Sequence, residues 1–63
     1  MSRRMVALNV DGEHAVAYLL GSKVVVAGGD FLFAKEGSAR EFAALTDVKR
    51  SDLRSAGFRE VKP

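Results

Sequence analysis

His14 is the single histidine of the chain, and it stands beside Glu13 and three positions after Asp11. An imidazole with carboxylates nearby is raw material for a metal site or for acid–base catalysis. A metal site needs more ligands than this turn can aim at one point. Catalysis needs a nucleophile, a base and a group that orients the base. Ser2, Ser22, Ser38, Ser51 and Ser55 are scattered along the chain, and no such set assembles around His14. His14 therefore reads as a polar residue near a hairpin tip. Gly28-Gly29-Asp30 has the glycine density of a phosphate loop. It lacks the lysine and the following helix that make such a loop bind, and adjacent glycines otherwise signal a turn. There is no cysteine, which excludes disulfides and thiolate metal centres. The expectation is a non-enzymatic protein with no catalytic residue, no cofactor and no metal.

The basic residues of the second half are the sharper signal. Residues 38–63 carry six basic and four acidic side chains, the whole net charge of +2, while residues 1–37 balance to zero. Lys49, Arg50, Ser51, Arg54 and Ser55 suit phosphate and base-edge contacts. Within Ala39–Phe58, Ala43, Asp47 and Leu53 stand four and then six positions apart, and Ala56 follows. This segment resembles the helix-turn-helix unit of DNA-binding proteins. There, a small residue in the first helix is followed by a turn glycine and then by an aliphatic anchor. Asp47 stands where glycine is usual, and Gly57 cuts the second helix short. The resemblance implies that Lys49, Arg50, Ser51, Arg54 and Ser55 face a major groove. The competing expectation is a solvated helix face on a pair of helices that roofs the rest of the protein.

Four short strands precede this segment. Arg4–Val10 alternates Val6, Leu8 and Val10 with Met5, Ala7 and Asn9. Asp11-Gly12 then predicts a type I′ hairpin turn, which needs positive φ at both central residues. The return strand is Glu13–Leu20, with Val10 opposite Glu13, Leu8 opposite Ala15 and Val6 opposite Ala17. A helix over the same eight residues is the rival, but the turns on either side favour a strand. Gly21-Ser22 makes the second turn, Lys23–Ala27 the third strand, Gly28-Gly29-Asp30 the third turn and Phe31–Lys35 the fourth strand. Ser38-Ala39-Arg40-Glu41 fits a capping box and predicts a helix to Leu45. A break near 46–48 precedes a second helix over Lys49–Ala56, which Gly57 ends. Arg59–Pro63 is a short tail, with room for a little strand at Phe58–Val61. The predicted fold is α+β: a four-stranded antiparallel β-meander followed by two short C-terminal helices packed on one face.

Side chains alternate across a strand and cross-strand partners share a face, so these registers define two faces. One collects Val6, Leu8, Val10, Ala15, Ala17, Leu19, Val24, Val26, Phe31 and Phe33, and is the expected core. The other carries Met5, Ala7, Val16, Tyr18, Leu20, Val25, Ala27, Leu32 and Ala34, with Asn9, His14 and Lys23. It is apolar too, and the helices can cover only one face. Met5, Val16, Tyr18, Leu20, Val25 and Leu32 are therefore the candidate oligomer interface.

The 63 residues make one domain, 1–63, of a size at which a single core rarely supplies more than about 3–5 kcal/mol. Association is one of the few stabilisers left. Arg3, Arg4 and the apolar start suggest a secretory leader, but Asn9, Asp11, Glu13 and His14 interrupt it too early. No run approaches the roughly 20 apolar residues of a membrane span. The chain reads as soluble and cytoplasmic. The expected role is a small assembly or binding module acting as a homo-oligomer, most simply a dimer, with no membrane partner. The alternative is a small DNA-binding regulator using residues 39–58.

Overall fold

A computed structural model describes residues 5–37, 40 and 47–61. Five strands, β1 (Met5–Val10), β2 (Glu13–Leu20), β3 (Lys23–Gly28), β4 (Leu32–Glu36) and β5 (Arg59–Glu60), form one antiparallel sheet in the order β1-β2-β3-β4-β5. A six-residue helix, α1 (Arg50–Ser55), lies between β4 and β5 in sequence.

The hairpins follow their turn chemistry. Asp11 and Gly12 both hold positive φ, 53° and 80°, as a type I′ turn requires. Val10 pairs with Glu13, Leu8 with Ala15 and Val6 with Ala17, in the expected register. Around the third turn the fourth strand starts one residue later than predicted. The Gly28 N–H donates to the Phe31 carbonyl at 2.9 Å, which closes the loop and leaves Ala27 opposite Leu32. The Phe31 ring lies directly on Gly28, in space that a β-carbon there would occupy.

The predicted fold class is overturned. The sheet has five strands rather than four, and among the described residues the fold is mainly β with one short helix. The first predicted helix, over 38–45 with its Ser38 cap, lies outside the described residues apart from Arg40, which is exposed. The second predicted helix is present but trimmed to Arg50–Ser55. Lys49 is its N-cap, and its N–H donates to Asp52 Oδ2 at 3.1 Å. Lysine has no acceptor, so only this reciprocal half of a capping box exists.

The fifth strand grows from the way α1 ends. Gly57, at φ 103°, turns the chain; its N–H donates to the Arg54 carbonyl at 3.0 Å and the Phe58 N–H to the Leu53 carbonyl at 2.9 Å. That is a Schellman motif, and Leu53 and Phe58 supply its hydrophobic contact. The reversal lays Arg59 beside Ala34 and Glu60 beside Phe33, and the Val61 N–H donates to the Leu32 carbonyl at 2.7 Å. Two charged residues carry little strand propensity, so pairing and not local preference makes this strand.

The buried cluster is the first face: Leu8, Val10, Ala15, Ala17, Val24, Val26, Phe31 and Phe33, closed over by Leu53 and Phe58. Val6 and Leu19 flank it, half-buried. Val48 forms a parallel bridge to Val10, with its N–H on the Asn9 carbonyl at 2.9 Å and its carbonyl accepting from Asp11 at 3.0 Å. Asp47 Oδ1 accepts from the Asn9 N–H at 3.2 Å. Together Asp47 and Val48 strap the outer edge of β1 at its turn end.

Candidate interaction surfaces

Register places the second face in two rows across the sheet. Met5, Tyr18, Val25, Ala34 and Arg59 form one row, each paired with the next. Ala7, Val16, Ala27 and Leu32 form the other. All six predicted interface residues, Met5, Val16, Tyr18, Leu20, Val25 and Leu32, lie on this face. Met5 is 65% exposed and Leu20 50%, while Val25, at the centre, is 5% exposed between its neighbours. Val16, Tyr18 and Leu32 are half-buried. Arg59 extends the first row, and Val61, 44% exposed, follows β5 at the margin of the sheet. The little strand expected at Phe58–Val61 left open which face these two residues would join. The apolar–charged alternation of Phe58, Arg59, Glu60 and Val61 is incomplete, and it is the one signal in the sequence.

The ends of this face are polar. Lys23 pairs with Glu36 at one end, and Glu36 Oε1 accepts from the Ser22 hydroxyl at 3.2 Å. Asn9 pairs with His14 at the other. The His14 side chain is exposed and makes no hydrogen bond or ion pair among the described residues. No group of three or more His, Asp or Glu among the described residues is placed to hold a metal ion.

The basic helix presents a mixed surface. Arg50 Nη2 lies 3.1 Å from Glu13 Oε1 and 3.6 Å from Asp30 Oδ1, and its Nε lies 3.6 Å from Asp11 Oδ2. Its guanidinium also stacks 4.7 Å from the centre of the Phe31 ring. The Arg50 backbone N–H donates to Asp11 Oδ1 at 3.3 Å. Arg54 Nη2 pairs with Glu60 Oε1 at 3.2 Å, above the Phe33 ring at 5.7 Å. Both arginines are thus turned onto the sheet and held by carboxylates. Lys49, Ser51 and Ser55 are exposed. Of the register that suggested helix-turn-helix, Ala43 lies outside the described residues, Leu53 is buried as an anchor, and Asp47 caps the β1 edge.

A shallow groove of ≈ 580 Å³ runs along the β4–β5 margin, lined by Lys23, Ala34, Lys35, Glu36, Gly57, Arg59 and Val61. No helix among the described residues is long and apolar enough to cross a membrane. Set against known protein families, curated proteins and solved structures, the chain matches none.

Proposed function

We propose that this chain is a small non-enzymatic assembly module that acts as a homo-oligomer, most simply a dimer, docked through the second face of its sheet. The observation that carries the reading is the pair of apolar rows, Met5–Tyr18–Val25–Ala34 and Ala7–Val16–Ala27–Leu32. A continuous apolar surface on a chain this small is a natural place for a partner. Tyr18 sits within it, and tyrosine is enriched where interfaces are made. A cytoplasmic setting suits a chain without cysteine. Sedimentation velocity across a concentration series tests the proposal. The expected result is a concentration-dependent dimer; a monomer persisting at high micromolar concentration would end it.

DNA binding through α1 is the second reading. Its support is the exposed group Lys49, Ser51 and Ser55. The engagement of Arg50 and Arg54 by carboxylates of the same chain removes the two strongest phosphate ligands from it. Titration of a labelled duplex at low salt separates the two readings.

A further inference from the structure

We propose that the Asp11-Gly12 peptide is a site of covalent self-modification, the isomerisation of Asp11 to isoaspartate, and that Arg50 holds it in check. The chain carries Asp11, Asp30, Asp47 and Asp52, followed by Gly12, Phe31, Val48 and Leu53. Attack on an aspartyl side chain by the next main-chain nitrogen is easiest where no β-carbon crowds that nitrogen. Of the four aspartates, Asp11 alone has a glycine there. Asp11 and Gly12 are exposed, and nothing lies within 4 Å of where a Gly12 β-carbon would be. The Gly12 N–H makes no hydrogen bond among the described residues. Asp11 itself stands at a φ of 53°, in the left-handed region that strains a residue other than glycine.

The step needs no co-reactant but water. The Gly12 nitrogen forms a bond to Asp11 Cγ, and one carboxyl oxygen leaves as water with the amide proton. Water then opens the cyclic succinimide. Opening at the main-chain carbonyl gives isoaspartate; opening at the side-chain carbonyl restores aspartate. In the fold the carboxylate is held elsewhere: Oδ1 accepts from the Arg50 N–H at 3.3 Å, and Oδ2 lies 3.6 Å from Arg50 Nε. Ring closure must break these contacts. The Asp11 N–H also donates to the Val48 carbonyl at 3.0 Å. Isoaspartate adds a methylene to the main chain, and the tight turn that sets Val10 opposite Glu13 cannot absorb it. The modification thereby unfastens α1 and the Val48 strap from the turn end of the sheet. It stands independently of self-assembly.

To test this, the full chain is incubated at neutral pH and digested, and isoaspartate is mapped by mass spectrometry with electron-transfer fragmentation. Asp30, Asp47 and Asp52 are internal controls. Isoaspartate should accumulate at position 11 alone, and faster in urea than in the folded chain. Arg50→Ala should speed it about fivefold in the absence of urea. Gly57→Ala strains the far end of α1 and leaves the Asp11 contacts in place. It should stay within about twofold of the wild type, which separates release of Asp11 from general loss of stability. Hydrogen exchange at the Val48 amide should rise in the modified fraction. Isoaspartate spread equally over the four aspartates, a rate in urea no higher than in the folded chain, or equal rates in Arg50→Ala and Gly57→Ala would overturn the guarded site. An unchanged Val48 amide would overturn the unfastening.

Discussion

At the scale of single residues, Arg50 makes several contacts at once. It ties α1 to the β1–β2 turn through Asp11 and Glu13, and to the β3–β4 loop through Asp30 and the Phe31 ring. Each ion pair is solvent-accessible and modest on its own, and the stacked ring adds to them. Arg50→Ala should therefore lower stability by about 1–2 kcal/mol in urea melts. Arg50→Lys should recover little of that, because an ammonium cannot stack flat and bond several carboxylates at once. Gly28 is constrained from the other side of the same ring: a β-carbon would sit 2.1 Å from the Phe31 ring. Gly28→Ala should cost about 1–3 kcal/mol by forcing that ring aside. The helix-turn-helix resemblance put Arg50 among groove-facing residues, and a helical register says only which residues share a face. It does not say which face meets the sheet.

At the scale of elements, the turn after α1 decides the sheet's far edge. Gly57 has open space around it, its nearest neighbour being Lys35 Cε at 3.7 Å, but its φ of 103° suits no L side chain. Gly57→Ala should therefore act through backbone strain, costing about 1–3 kcal/mol. Hydrogen exchange at the Val61 amide should rise along with the loss, since the Schellman turn is what brings β5 to β4. An unchanged Val61 amide would mean that β5 docks independently of the turn. The first four strands were legible because Asp11-Gly12, Gly21 and the Gly28-Gly29 pair punctuate alternating apolar runs. The fifth strand was legible only as a faint option, since Arg59 and Glu60 are ordinary surface residues until β4 offers them an edge.

At the scale of the whole molecule, the proposed association through the second face sets the expected behaviour in solution. Leu20→Lys changes an exposed side chain and should leave the thermal melt of the folded chain nearly unchanged while shifting sedimentation toward monomer. Val25→Lys, at the centre of the face, should abolish association and also destabilise, because that position is buried within its own sheet. A Leu20→Lys chain that dimerises like the wild type would place the contact elsewhere. For nucleic acid, the expected outcome is no salt-dependent duplex binding at low salt. If binding does occur, its logarithmic salt slope should fall by roughly 0.9 for each phosphate contact removed at Lys49, Arg50 or Arg54.

The amino-acid sequence by itself determined the hairpins, their register and the two apolar faces. Those follow from local rules: left-handed turn residues, β-branched runs and the two-residue period of a strand. Val10 opposite Glu13 and Ala17 behind Val6 needed nothing beyond the turn length. Tertiary structure decided what depends on distant segments meeting. The closure of Leu53 and Phe58 over Phe33, the strap of Asp47 and Val48 on β1, and the capture of Arg50 by three carboxylates join residues far apart in the chain. The fifth strand has the same origin. β5 exists because a glycine turn returns the chain to an open sheet edge, where backbone hydrogen bonds outweigh the weak strand preference of Arg59 and Glu60.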